Sequence, residues 1–231
     1  MPQKFQNLKN SHKFTKSSKK WLTRQLNDPF VEKAKQEGWR SRAAFKIIEI
    51  DEKFKIFKKN FSVVDLGSAP GGWSQYAVQK VGLNKVIALD LLEMPPIAGV
   101  HFLQNNFLAE ETLAKISELL LKINKKPYCN VLLSDMAANT TGNKIVDHLQ
   151  IIGLLEDVLV VADKILKNGG CLVSKIFQGS SSEVILQQLK KKFKQVKYFK
   201  PKSSRPDSSE TYLVALDFLG NQMQNNTISH I

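Results

Sequence analysis

An aspartate, three glycines and a proline follow an apolar run in the segment SVVDLGSAPGGWSQ, residues 62–75. This order predicts a strand, a tight loop and the start of a helix. Glycines allow positive φ and a close backbone approach to a ligand, and the first N–H groups of a helix are free to bind a carboxylate or phosphate. The segment therefore predicts a cofactor site, which a Rossmann-type oxidoreductase and a methyltransferase would both use.

Asp90 helps to distinguish the two kinds of cofactor. It ends a second apolar run, 18 residues after Gly72, where a carboxylate can accept hydrogen bonds from the hydroxyls of an adenosine ribose; the alternative is a strand end that faces solvent. The loop lacks the G-x-G-x-x-G spacing of dinucleotide sites, because three other residues separate Gly67 from Gly71. A cofactor without a pyrophosphate fits better, which favours S-adenosylmethionine.

Three further charged residues lie at the ends of predicted strands. Asp135 follows the apolar run 128–134, Lys175 lies near the end of the run 170–177, and Glu210 opens the last strand. Ligands bind at the carboxyl ends of the strands in open α/β sheets. We therefore expect Asp135 and Lys175 on the cofactor side, although each residue taken alone is as easily a turn residue or a solvated strand end.

The elements that must position these residues alternate between strand and helix, which predicts an α/β fold with a mostly parallel sheet of seven strands. A short connection without a helix joins the last two strands, so the last strand should be antiparallel. The predicted strands are residues 61–66, 85–90, 100–104, 128–134, 170–177, 195–199 and 211–218. The predicted helices are residues 17–27 and 29–38, one opening at Trp39, and residues 73–81, 110–122, 145–166 and 182–193.

Charge is unevenly distributed along the chain. The net charge is +13, and residues 1–20 contain six lysines and no acid. An excess of this kind favours a polyanionic partner such as RNA, and a lysine-rich proteome is the alternative. We predict a flexible basic arm over residues 1–20, a single domain over residues 21–220 and a frayed tail over residues 221–231.

The two cysteines, Cys129 and Cys171, lie in apolar, strand-like runs without a partner at metal-ligand spacing. We expect both to be reduced core residues of a cytoplasmic protein, and we expect no metal site. The longest apolar region, residues 149–166, carries four charged residues, so we expect no membrane span.

Five segments, in matching order between residues 17 and 218, make the chain resemble the FtsJ/RrmJ-type 2′-O-ribose RNA methyltransferases. The resemblance implies a Rossmann-like S-adenosylmethionine-dependent fold and methyl transfer to a uridine ribose of 23S ribosomal RNA. It also implies a large ribosomal subunit as partner, and a monomer is our default. The segments are RSRAAFK (40–46), DLGSAPGGWSQ (65–75), SDMAAN (134–139), VSKIFQG (173–179) and KPKSSR (200–205).

The resemblance also implies site residues. Its catalytic tetrad falls on Lys46, Asp135, Lys175 and Glu210, and its cofactor contacts fall on Gly71, Trp73, Asp90, Asn106 and Asp135. Two positions depart from the family pattern, since Asn106 stands where an aspartate is usual and Ala138 where a proline is common. An amide still offers an acceptor to the adenine amino group, so we expect weaker cofactor binding and retained activity.

A ribose 2′-hydroxyl must lose its proton as it attacks the methyl group, and Lys175 has two possible roles in that step. A lysine base must be neutral, which requires a pKa of about 7–8 in place of about 10.4. A charged lysine would instead orient the hydroxyl and stabilise the developing alkoxide. Beside this enzyme we keep the hypothesis of a non-catalytic RNA-binding or ribosome-assembly factor on the same fold.

Overall fold

A computed structural model describes residues 15–137, 141–178 and 183–220. Its centre is a seven-stranded sheet in the order β3-β2-β1-β4-β5-β7-β6. β7 is antiparallel to both of its neighbours, and the other pairs are parallel, as predicted. The strands are β1 (Val63–Leu66), β2 (Val86–Asp90), β3 (Val100–Gln104), β4 (Cys129–Ser134), β5 (Leu166–Phe177), β6 (Phe193–Phe199) and β7 (Glu210–Phe218).

Helices cover both faces of the sheet. They are α1 (Lys16–Leu26), α2 (Pro29–Gln36), α3 (Ala44–Phe54), α4 (Gly72–Val81), α5 (Glu110–Asn124), α6 (Lys144–Ile165) and α7 (Glu183–Lys192). α2 begins as predicted, because Asp28 accepts a hydrogen bond from the Phe30 N–H at 3.1 Å and Pro29 occupies the first helical position.

The starts of α3 and β5 differ most from the prediction, while the other boundaries differ by no more than two residues. α3 begins at Ala44 and not at Trp39, because the N–H of Trp39 bonds back to Ala34 and the N–H of Arg40 donates to the Gln75 side chain. β5 begins at Leu166 and not at residue 170. α1 spans Lys16–Leu26, within one residue of the predicted helix over residues 17–27, and its first turns overlap the segment predicted as an arm. Residues 1–14 and 221–231 lie outside the described residues, so the arm and the tail stay predictions.

The core has two parts, one on each face of the sheet. Side chains of α5, α6 and α7 pack on one face, and side chains of α3 and α4 pack on the other. Cys129 and Cys171 are buried and free, one in each part, and burial raises the pKa of the Cys129 thiol to about 12. Among the helices of the described ranges, none has the length and apolarity to cross a membrane.

The register brings the predicted site residues to one edge of the sheet. Ser134, at the end of β4, pairs with Ser174 of β5, so that Asp135 and Lys175 follow side by side. β7 enters from the same edge, where Lys175 pairs with Tyr212 and Phe177 pairs with Glu210. Three strands therefore place these side chains within reach of one another.

Candidate active site

Four charged side chains form a chain of alternating charge at this edge. The amine of Lys46 lies 2.8 Å from Oε1 of Glu210 and 4.0 Å from Oδ2 of Asp135. The amine of Lys175 lies 3.1 Å from Oδ1 of Asp135 and also donates to the Asp135 backbone carbonyl. The structure therefore brings together all four residues that the resemblance assigns to the tetrad.

Burial strengthens these interactions, because fewer waters screen the charges. The Lys46, Lys175, Glu210 and Asp135 side chains are only 11%, 9%, 16% and 18% exposed. Burial by itself opposes ionisation of Asp135, but the charges of Lys175 and Lys46 and a hydrogen bond from Tyr212 outweigh it and lower the Asp135 pKa below its ordinary value. Asp135 is therefore ionised at neutral pH between two lysines.

Tyr212 is a fifth member of this cluster, and sequence reasoning missed it. Its hydroxyl donates to Oδ1 of Asp135 at 2.7 Å, and its ring lies 5.5 Å from the ring of Trp73. Burial and the nearby carboxylates raise its pKa well above the ordinary value, so the hydroxyl keeps its proton. The sequence could have identified Tyr212, because residues two apart on a strand share a face and Glu210 is two residues before Tyr212.

A polar cavity of about 250 Å³ opens directly onto the Lys46–Glu210 pair. Ser204 holds the pair from the other side through a 2.9 Å hydrogen bond to Glu210. The cavity lining comes from the end of α1, from α3 and the segment before it, and from the start of β7 and the segment that leads into it. The lining residues are Gln25, Arg42, Lys46, Arg205, Ser208 and Glu210.

Asp28 anchors the two arginines of this cavity. Arg42 donates to the Asp28 carboxylate and to the Ser203 carbonyl, and Arg205 donates to Asp28 at 3.1 Å and to Gln25 at 3.2 Å. Asp28 is only 7% exposed. The wall of the cavity is therefore held by ion pairs between segments that are far apart in the sequence.

The glycine loop between β1 and α4 has the geometry of a ligand-binding turn. Gly71 has φ = 105° and caps α4, a conformation that L side chains rarely adopt. A Cβ on Gly67 would overlap the Met136 side chain. The backbone of the loop therefore passes directly over the residue that follows Asp135.

Asp90 lies beneath the same loop. Its two carboxylate oxygens accept hydrogen bonds from the N–H groups of Ala69 and Leu92, both at 2.8 Å. Each oxygen keeps a second lone pair for a ligand hydroxyl. The backbone thus orients the Asp90 carboxylate on both sides.

Two other predicted cofactor residues have constrained side chains. The Trp73 indole is 3% exposed and donates to the Ala43 carbonyl at 2.9 Å, so only its backbone N–H in the first turn of α4 is left for a cofactor. Asn106 is exposed beyond the end of β3, and its side-chain oxygen accepts from the Leu108 N–H at 3.0 Å. Ala138, the second departure from the family pattern, lies outside the described residues.

Asp65 provides a test of fit for a cofactor. It is 1% exposed, and one carboxyl oxygen accepts from the Ser74 hydroxyl at 2.6 Å. The other oxygen, Oδ1, is buried without a hydrogen-bond partner among the described residues. Burial is the main cause that raises the Asp65 pKa to about 7. A buried acceptor under the glycine loop, beside Asp90 and the free N–H groups of α4, fits a ligand with polar and cationic groups.

Fold and site together define a class. An open sheet of this strand order, with one antiparallel strand, a glycine loop after β1 and a carboxylate at the end of β2, is that of the Rossmann-like methyltransferases that use S-adenosylmethionine. Residues 39–218 match the family described as FtsJ-like methyltransferase, and the chain belongs to this family.

Similar proteins cover nearly the whole chain. The Ribosomal RNA large subunit methyltransferase E of Rhodopseudomonas palustris strain BisB18 is 52% identical over 217 residues, covering 92% of this chain and 89% of the relative. The protein of the same name from Rickettsia akari is 48% identical over 220 residues, covering 93% and 95%. A crystal structure from Plasmodium falciparum, provisionally described as a ribosomal RNA methyltransferase, has 33% identity and a TM-score of 0.68, covering 79% of this chain and 100% of that one.

Proposed function

We propose that the protein transfers a methyl group from S-adenosylmethionine to the ribose 2′-hydroxyl of a uridine in 23S ribosomal RNA. The observation that carries this proposal is the buried chain of charges from Glu210 through Lys46 and Asp135 to Lys175 at the cofactor edge of the sheet. The relatives, which are named as ribosomal RNA methyltransferases, support ribosomal RNA as the substrate. In this proposal the partner is the assembled large subunit, and the enzyme is a cytoplasmic monomer.

S-adenosylmethionine, when bound, supplies an electrophilic methyl group on a positively charged sulfur. The residues proposed to hold it are Gly71, the backbone of Trp73, Asp90, Asn106 and Asp135. Asp90 would accept from the ribose hydroxyls, and Asn106 would accept from the adenine amino group. Asp135 lies between this cofactor side and the two lysines, so a single carboxylate would orient both halves of the site.

Lys175 is the group proposed to contact the 2′-hydroxyl. Its amine is held by two acceptors of Asp135, which leaves one donor or lone-pair direction for the substrate. As a neutral amine it would take the hydroxyl proton, and as an ammonium it would donate to the oxygen and stabilise the developing alkoxide. In both cases the main contribution is to hold the attacking oxygen in line with the methyl group.

The 250 Å³ cavity beside Lys46 and Glu210 is the proposed entrance for the target nucleotide. Arg42 and Arg205 line it, and a guanidinium matches the geometry of a phosphate. Arg205 is 26% exposed and keeps N–H groups that do not bond to Asp28 or Gln25. The wall therefore offers charge to the backbone of an RNA strand whose ribose faces Lys175.

The test uses purified protein, labelled S-adenosylmethionine and large ribosomal subunits from a strain that lacks the native modification. The RNA is digested, and the labelled nucleoside is identified by mass spectrometry, with a reaction that lacks the protein as the background control. Label on one uridine ribose is the expected result. Label on a base, or cofactor binding with no transfer to subunits or to free ribosomal RNA, would overturn the proposal and would leave the hypothesis of an RNA-binding assembly factor.

A further inference from the structure

A second basic site lies at the sheet edge opposite the active site. A cavity of about 660 Å³ opens there, and we call it the lysine cavity. Four lysines and one exposed aromatic residue, Tyr128, contribute to its lining. The lining residues used in the argument below are Lys85, Lys125, Lys126, Tyr128, Lys167 and Asn168.

The position of the lysine cavity follows from the topology. Lys85 immediately precedes β2, Tyr128 immediately precedes β4 and Lys167 lies at the start of β5. These are the amino ends of parallel strands, whereas Asp135 and Lys175 lie beyond or near the carboxyl ends. At about 3.3 Å per residue, the seven steps from Tyr128 to Asp135 along β4 separate the two sites by roughly 23 Å.

The charge of the lysine cavity is not neutralised within the described part of the chain. Lys125, Lys126 and Lys167 are exposed and form no ion pair with a described acidic residue. The one acid in the lining, Asp163, is bound through both oxygens by Lys192 at 2.6 and 2.7 Å. The cavity is therefore a concentration of positive charge that requires an anionic ligand or solvent ions.

Hydrogen bonds hold the rim of the lysine cavity. Asn124 donates to the Tyr128 carbonyl at 3.0 Å and to the Ser62 hydroxyl, and Ser62 bonds in turn to Asn130. Lys85 donates to the Ile123 carbonyl at 3.0 Å. These hydrogen bonds hold the connection between α5 and β4 against the segment before β1, so Lys125 and Lys126 belong to a well-ordered turn.

We propose that the lysine cavity binds the phosphate backbone of the RNA substrate at a segment remote from the target nucleotide. The separation of about 23 Å corresponds to roughly seven steps of 3.4 Å along a nucleic acid strand, so one nucleotide cannot occupy both sites. Lysines supply the sequence-independent phosphate contacts, and the exposed Tyr128 offers a ring on which an unpaired base can stack. This inference rests on the proposed function, because it requires an RNA substrate.

The test compares two variants that lose the same charge. The cavity variant is Lys125→Gln/Lys126→Gln/Lys167→Gln. The control variant is Lys35→Gln/Lys59→Gln/Lys115→Gln, whose lysines are also exposed and unpaired among the described residues but are scattered over the surface. Binding to 23S ribosomal RNA is measured between 50 and 300 mM KCl, and label transfer to a ribose is measured with the wild-type protein.

Three phosphate contacts contribute roughly 2 to 3 to the slope of log K against log salt concentration. We expect the magnitude of this slope to be smaller by that amount in the cavity variant. The loss of RNA affinity relative to wild type should be largest at low salt, and binding of S-adenosylmethionine should be unchanged. We expect the control variant to lose less than half as much slope. Equal slopes for the two variants would overturn this inference alone.

Two further outcomes are informative. If the cavity variant loses affinity for inorganic phosphate while its RNA slope equals that of the control, the cavity serves a small phosphate-bearing ligand and the inference is wrong. If wild-type protein binds no ribosomal RNA and labels no ribose, the proposed function fails and this inference fails with it.

Discussion

The hydroxyl of Tyr212 donates to Oδ1 of Asp135, the same oxygen that lies 3.1 Å from the Lys175 amine. One carboxylate oxygen therefore receives two donors, one neutral and one from a lysine, while the other oxygen faces Lys46 at 4.0 Å. This arrangement fixes the rotation of the Asp135 carboxylate. It also places Tyr212 among the residues that position Lys175.

Removal of the Tyr212 hydroxyl tests this positioning role. Hydrogen bonds to charged groups contribute about 1.5–3 kcal/mol, so we expect Tyr212→Phe to lower kcat by roughly tenfold or more. The ring contact with Trp73 should remain, and with it most of the stability. Tyr198→Phe is the matched control, because Tyr198 lies exposed on the neighbouring strand β6. An unchanged kcat in Tyr212→Phe would show that the lysines alone hold Asp135.

Substitution of Lys175 separates its two possible roles. We expect Lys175→Ala to bind S-adenosylmethionine with near-normal affinity in calorimetry and to lose methyl transfer. Lys175→Arg keeps a cation that cannot act as a base, so residual transfer of that variant would indicate an orienting role, and complete loss with a normal fold would favour the base. Lys122→Ala is the control, since it breaks an exposed ion pair with Glu118 on α5 that lines neither of the two cavities. Retained transfer in Lys175→Ala would remove Lys175 from the mechanism.

Asp65 gives the protein a specific dependence of stability on pH. Its pKa of about 7 in the folded protein is above the ordinary value of 3.8, so the folded state binds a proton that the unfolded chain has released between about pH 4 and pH 7. The contribution of Asp65 to the free energy of unfolding therefore falls as pH rises through that range and is constant above it.

We expect the stability of Asp65→Asn relative to wild type to increase from pH 4 to pH 7 and then to level off, measured by urea unfolding across that range. Glu111→Gln, at an exposed position on α5, should show no comparable trend. A parallel pH dependence for wild type and Asp65→Asn would mean that the Asp65 carboxyl ionises in the folded protein as it does in the unfolded chain.

Asn106 allows a gain-of-affinity experiment. Because a carboxylate is a stronger acceptor than an amide, and the difference is on the order of 1 kcal/mol, Asn106→Asp should bind S-adenosylmethionine about fivefold more tightly in calorimetry. The carboxylate can still accept from the Leu108 N–H as the amide does. Asn105→Asp adds the same charge one residue away and should have little effect. Equal affinities for wild type and Asn106→Asp would argue against adenine contact at this position.

Gly67 and Gly38 form a matched pair for the glycine loop. Their φ angles are +72° and +73°, but a Cβ on Gly67 would overlap Met136 and lie 3.3 Å from its Cα, whereas Gly38 has nothing within 4 Å. Gly38→Ala should lower the free energy of unfolding only through backbone strain, on the order of 1–2 kcal/mol. We expect Gly67→Ala to be less stable still and to lose transfer, since Met136 follows Asp135. If thermal unfolding shows that Gly67→Ala and Gly38→Ala lose the same stability, the Met136 side chain moves aside without cost.

Local pattern in the sequence was enough to predict most elements of the fold. The strand at residues 100–104, the Asp28 cap of α2, the glycine loop after β1 and the antiparallel β7 were all predicted, because each depends on neighbouring residues or on the length of one connection. The start of α3 was not, because the N–H groups of Trp39 and Arg40 bond to Ala34 and Gln75 rather than within a helix.

Residue types and their spacing already define the class of the protein, because the alternation of elements, the glycine loop, the carboxylate at the end of β2 and the charge all follow from them. The partners of the charged residues, by contrast, follow from the three-dimensional fold. Lys46 and Glu210 are 164 residues apart, and the lysine cavity and the Asp65 oxygen that has no hydrogen-bond partner among the described residues became visible only once the strands were in register. The physical reason is that secondary structure depends on local backbone preference and hydrophobic period, whereas the energy of a charged group depends on burial and on neighbours that the fold alone brings together.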